Sequence, residues 1–210
     1  MSLRSSRGFS LIEMLIVVAL FTIITGAALM NHSRFGESIL ATNLAYDIAL
    51  ALREAQSYGI AVRESPLTGN GFDIGYGVHF ASDAFFVFFA DRNDNRRYDG
   101  TSVDGVCIVD ANSECLKVYK LERGNTILSF CGTMAALGGG AECRNFLSGD
   151  ATLSFMDLLF KRPIPDAFVR TNLNGASEER YRSGAVTIVS PRGREARTVE
   201  VFQTGQISIR

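Results

Sequence analysis

Arg7-Gly8-Phe9-Ser10-Leu11-Ile12-Glu13-Met14-Leu15-Ile16-Val17-Val18-Ala19 decides the fold. Before it lies a short polar segment, Met1 to Gly8, whose only charges are Arg4 and Arg7. After it, no charged residue occurs from Met14 to Met30. Counted from Phe9, the apolar stretch reaches about 20 residues, enough to cross a bilayer as a helix. The preceding basic residues predict a cytoplasmic N-terminus and export of everything that follows.

An ordinary secretory signal would be cleaved after its apolar run, and Thr25-Gly26-Ala27-Ala28 would serve as the site. Two features oppose that alternative. The run is longer than a usual signal core, and it carries Glu13 near its start. A carboxylate at the edge of a membrane helix is costly unless it is paired. A place in the first helical turn, where the helix dipole favours negative charge, relieves part of that cost.

Arg7-Gly8-Phe9-Ser10-Leu11-Ile12-Glu13, followed by Met14 to Ala19, resembles the prepilin motif of type IV pilins and type II secretion pseudopilins. The resemblance implies cleavage between Gly8 and Phe9 by a prepilin peptidase, N-methylation of Phe9 and retention of the apolar helix. Glu13 would become the fifth mature residue and pair with the N-terminal amine of a neighbouring subunit. The implied partners are other pilin or pseudopilin subunits, the peptidase, an inner-membrane assembly platform and membrane lipid. The implied location is a single pass of the inner membrane with the globular part outside the cytoplasm, and later a filament. Loss of the leader removes Arg4 and Arg7 and takes the formal net charge from −1 to −3.

Beyond the membrane the helical pattern continues. Leu40, Leu44, Ile48 and Leu52 recur every fourth residue, with Ala41, Ala45, Ala49 and Ala55 beside them and Glu37, Asp47, Arg53 and Glu54 at polar positions. Tyr58-Gly59 reads as the stop, so one helix is predicted from Leu11 to Ser57. Small residues Gly26, Ala27 and Ala28 allow close approach of another helix. Many major pilins carry a proline in this region, where this chain has Gly26 and none.

From Gly59 the pattern turns to short β-rich runs: Gly77–Phe80, Phe85–Ala90, Leu116–Leu121, Thr126–Phe130, Thr152–Phe155, Leu158–Lys161, Ala185–Ser190, Thr198–Gln203 and Gln206–Ile209. The expected fold class is α+β, with the long N-terminal helix packed on a mostly antiparallel β-sheet. The chain divides into a leader (1–8), a membrane helix (9–30), an amphipathic helix (31–57) and a β-rich domain (58–210). Leu44 to Asp47, Leu52 to Ala55, Phe160 to Pro163 with Asp166-Ala167, and Ala185 to Arg194 resemble the GspH/FimT-like minor pilins and pseudopilins. These matches are looser and cover about half of the globular part. Classical major pilins usually close a loop near the C-terminus with a disulfide; the absence of any cysteine after Cys143 favours a minor subunit.

A chain of 210 residues, 47% hydrophobic and 20% charged with net charge −1, is globular and carries no global pull towards nucleic acid. The four cysteines, Cys107, Cys115, Cys131 and Cys143, allow three pairings, of which the neighbour pairing is simplest. Without a CxxC, and with His32 and His79 far off in sequence, disulfides outrank a metal. Leu137-Gly138-Gly139-Gly140 reads as a loop that a Cys131–Cys143 bridge would restrain.

Two stretches invite chemistry. Asp91, Asn93, Asn95 and Asp99 have the alternating oxygen spacing of a calcium loop, with Asp104 as a late ligand. Arg96 stands where such a loop wants glycine and Ser102 where it wants glutamate, and Asn and Asp are ordinary turn formers. Arg192, Arg194 and Arg197 cluster at a turn and suit DNA phosphates, as in a DNA-binding minor pilin for DNA uptake; a solvated turn is the alternative. No catalytic motif occurs, and His79 reads as a paired strand histidine.

Overall fold

A computed structural model describes residues 8–61, 74–100, 102–103, 105–108, 113–136, 139–175 and 179–210, with residues 30–35 and 102–103 described by backbone alone. Arg4, Arg7, Asp104, Leu137 and Gly138, and the side chains of His32 and Ser102, lie outside the described residues.

One α-helix, α1 (Leu11–Ile60), runs unbroken for 50 residues, through Gly26 and Gly36. From Glu37 onward its buried positions are Glu37, Ala41, Leu44, Ala45, Ile48, Ala49, Ala51, Leu52, Ala55 and Gly59. The many alanines keep that face flat and let the helix sit close to the sheets. The helix does not stop at Tyr58-Gly59. Its cap is Ala61, whose N–H donates to Ser57 O at 3.0 Å. Gly59 has a different duty: a Cβ there would lie 2.3 Å from Phe160 O. The glycine permits contact between backbones, and Arg162 N–H donates to its carbonyl at 2.9 Å.

The strands are β1 (Gly75–Phe80), β2 (Phe85–Asp91), β3 (Ser102–Val103), β4 (Val106–Cys107), β5 (Cys115–Lys120), β6 (Thr126–Met134), β7 (Ala141–Asn145), β8 (Met156–Phe160), β9 (Ala167–Thr171), β10 (Tyr181–Val189), β11 (Ala196–Phe202) and β12 (Ile207–Ile209). The expected single sheet is two five-stranded sheets, ordered β5-β2-β1-β8-β9 and β12-β11-β10-β6-β7, with a β3-β4 ribbon beside them. Every strand pairing is antiparallel. One core joins α1 to the inner faces of both sheets through Ile48, Leu52, Tyr76, Phe80, Phe130, Phe160 and Val186.

The first sheet is buried on both faces. Its outer side holds Val87, Phe89, Leu159 and Cys115 under Tyr98. β2 is therefore buried almost continuously, whereas β10 alternates. Thr152–Phe155 is not a strand. There Thr152 N–H donates to Asp150 Oδ1 at 3.3 Å and Ser154 N–H to Asn172 Oδ1 at 2.8 Å, so side chains take the bonds a ladder would use. Leu153 plugs the core between them.

Three elements were absent from the strand list read from the sequence: the β3-β4 ribbon, β7 and β9. β7 begins inside the supposed Cys131–Cys143 loop and runs past it to Asn145, forming a hairpin with Cys131 directly opposite Cys143. Disulfides join Cys107 to Cys115 and Cys131 to Cys143. β9 is an edge strand that the chain closes for itself. Ala167 N–H donates to Gln203 O, Thr171 N–H to Asn174 Oδ1, and Asn174 Nδ2 to Val169 O. Buried Asn174 thus stands in for a neighbouring strand.

Candidate functional site: the uncovered helix half and its attachment to the domain

The first turn of α1 is built by Ser10. Its backbone is extended, and its Oγ accepts the Glu13 N–H at 3.3 Å. Ser10 is the N-cap and Glu13 the third helical residue, the Ser-x-x-Glu pattern of a capping box. Glu13 therefore stands at the positive end of the helix dipole. Phe9, 78% exposed, precedes the cap.

From Leu11 to Leu29 the helix is long and apolar enough to cross a membrane, and none of it is buried. Thr22 turns its hydroxyl back on the helix and donates to Val18 O at 2.6 Å and Ala19 O at 3.0 Å, so that donor is satisfied within the helix. Gly26 has open space beside it, so a second helix can approach there.

The domain grips the other half at several levels. Glu37, only 7% exposed, accepts Ser190 Oγ–H at 3.3 Å and Arg192 Nη1–H at 3.2 Å. Ser38 Oγ accepts Arg197 Nη2–H at 3.2 Å. Farther along, Tyr119 O–H donates to Glu54 at 3.3 Å, and Gln56 Nε2 donates to Pro165 O and Gly205 O. A buried carboxylate needs such partners. Glu37, grouped with the polar positions in the sequence pattern, is thus on the inward face. Its spacing of four to Ala41 and of eleven to Ile48 was the available signal.

This geometry bears on the arginine cluster. Arg192 is tied to Glu37, and Arg197 to Glu195 and Ser38. Arg194 is exposed. Arg192 keeps 59% of its side chain exposed despite that ion pair, and Arg197 29%.

The 91–99 segment is a turn organised by carboxylates. Asp91 accepts the N–H groups of Asn95 at 3.1 Å and Arg96 at 2.8 Å. Asp99 Oδ2 accepts the side-chain amides of Asn93 at 2.9 Å and of Asn95. The structure therefore brings together all four residues with calcium-like spacing. Their carboxylate oxygens face N–H groups, and among the described residues no three His, Cys, Asp or Glu side chains form a metal-holding group. Sequence reading missed Glu114, which is buried and holds both ends of the turn, accepting Arg92 N–H at 2.8 Å and Asp99 N–H at 2.7 Å. Burial pushes its carboxyl up to about 7, against the opposing pull of those two N–H groups. Beside it, His79 Nδ1 meets buried Asp157 at 2.5 Å, and Asp157 also accepts Tyr98 N–H at 3.0 Å. That is the paired strand histidine expected from the sequence.

A prokaryotic N-terminal methylation motif matches residues 3–29. It is of the prepilin type and supports a type IV pilin-like family. The motif implies processing by a prepilin peptidase and assembly with other pilin subunits. No curated protein and no solved structure matches the chain.

Proposed function

We propose that this chain is a structural subunit, a minor pilin or pseudopilin, of a type IV pilus or type II secretion pseudopilus. One observation carries the proposal: a 19-residue apolar helix half with 0% of it buried continues directly into a half sunk in its own domain. The first half is solvated by lipid before assembly and by neighbouring helices after it. Cleavage between Gly8 and Phe9 leaves Phe9 as the methylated N-terminus. Glu13, exposed one turn into the helix, then pairs with the amine of the next subunit. Such a pair offsets the cost of carrying a carboxylate into an apolar bundle.

The test is recovery of the full chain in sheared fibres and in membranes. Glu13→Ala is expected to stay in the membrane and to leave the fibre fraction, at a loss of about tenfold or more. Glu13→Ala recovered in fibres like the unmodified chain would contradict the pairing.

A further inference from the structure

The turn between β10 and β11 meets α1 close to where the helix leaves its apolar half. Arg192 Nη1 donates to Glu37 Oε1 at 3.2 Å, and Arg197 Nη2 to Ser38 Oγ at 3.2 Å. Glu37 follows Leu29, the last residue of the apolar half, by about 12 Å along a helix. The polar layer of a bilayer takes up roughly 5–7 Å of that distance. The Cα–Cβ bonds of a helix tilt towards its N-terminus, so the Glu37–Arg192 pair leans towards the bilayer. The turn therefore stands within one screening length, about 8–10 Å, of the headgroup phosphates.

The arginines of this turn divide their work. Arg197 is used within the chain: Nη1 donates to Glu195 Oε2 and Ala196 O, and Nη2 to Ser38. It ties the turn to the helix. Arg192 spends Nη1 on Glu37, but a guanidinium carries five N–H donors, and most of this side chain stays exposed. Arg194 is exposed beside Gly193, whose positive φ of 69° and N–H bond to Ser190 O shape the turn. The nearby acids do not cancel this charge from outside, because Glu37 is buried and Glu195 is engaged by Arg197. The adjoining turn, where Gly124 lies against Pro191, carries both Glu122 and Arg123 and adds no net charge.

We infer that Arg192 and Arg194 bind phospholipid headgroup phosphates on the domain's side of the membrane, an inference that rests on the membrane-anchor part of the reading above. The contact seats the domain on the bilayer before assembly. Arginine suits the task, because its planar donors match phosphate oxygens and the bonds are charge-assisted. Basic groups held this near an anionic surface are attracted to it, and the attraction fades within a screening length. Duplex DNA is the poorer occupant while the subunit is anchored. Its phosphates would have to share the narrow gap with those of the bilayer, and like charges repel.

The test reconstitutes the full chain in nanodiscs of mixed zwitterionic and anionic phospholipid. One preparation carries a lipid with a photoreactive diazirine in its headgroup, the other a lipid with the diazirine in its acyl tail. Peptide mapping is expected to place headgroup adducts on residues 190–194 as well as on residues 30–36, and tail adducts on residues 11–29. Arg194→Glu should lower the yield on the turn about tenfold, leaving the adducts on residues 30–36 and the melting of the domain unchanged. Arg194 is the residue to change, because it is exposed and its loss leaves Glu37 paired. Headgroup adducts on residues 30–36 with none on the turn would overturn the phosphate contact and leave the anchor standing. Absence of tail adducts on residues 11–29 would overturn both. A turn that gains no lipid adduct, yet is protected from amide exchange by added duplex DNA, would assign these arginines to nucleic acid instead.

Discussion

The two halves of α1 belong to one helix, yet they solve different problems. Residues 11–29 bury nothing, while residues 37–55 bury a face of alanine, leucine and isoleucine between two sheets. Hydrophobicity alone does not separate them, since Leu15 and Leu52 are the same side chain at 59% and 0% exposure. The difference is whether the domain supplies a partner. A half that its own chain leaves uncovered must find lipid or another subunit, and that requirement is the physical content of an assembly helix.

The comparison breaks most visibly under truncation. Leu52→Ala should cost the domain about 2–5 kcal/mol through lost contact and a residual cavity. Leu15→Ala should leave the domain's stability unchanged. Urea unfolding of the full chain in detergent, followed by a signal from the sheets, reads both. Equal losses would mean that the first half packs on the domain after all.

Acidity should also act on the stability of the domain. Glu114 ordinarily titrates at 4.5 and is raised to about 7 in the folded chain. Folding therefore favours its protonated form. Its stabilising contribution is full below about pH 4.5 and is lost as pH rises through about 7, on the order of 3 kcal/mol. Glu142 has the opposite sign, because hydrogen bonding from Arg180 holds it below its ordinary value. Comparing pH profiles of the unmodified chain and Glu114→Gln isolates the first effect. The variant should show a shallower fall in unfolding free energy between about pH 5 and pH 7. Membrane retention should not follow the same profile. Parallel profiles with and without Glu114 would remove this carboxyl from the account.

The smallest expected effect lies at the other end. Ser10→Ala removes the cap and should cost the first turn about 1 kcal/mol. Faster amide exchange at Glu13 and Met14, with the domain's exchange unchanged, is the expected result.

How much of this was legible in the sequence depends on distance along the chain. The helix was legible almost to its last turn, because its pattern is local. Gly59 misled because a glycine that ends a helix and one that admits a neighbouring backbone look alike until Phe160 is in place. The run from Phe85 to Ala90 was legible as a strand, and β2 is that strand; its burial on both faces was not read from the sequence. β9 hid because its edge is closed by Asn174, a residue that reads as a turn former. The two-sheet division follows from pairings such as β1 with β8 and β6 with β10, which join segments far apart in sequence. Ser10 was available from the Ser-x-x-Glu spacing. Glu114 was not, because its partners Arg92 and Asp99 lie 22 and 15 residues before it.

The most direct test of the central claim, that the uncovered helix half stays on the mature subunit as its assembly surface, is the N-terminal mass of the protein recovered from its native membrane. A mature chain beginning at methylated Phe9, with Glu13 and the whole apolar half retained, is the predicted result. A chain beginning after Ala28 would contradict it, because cleavage there would discard the uncovered half as a secretory signal and leave only the half that the domain already covers.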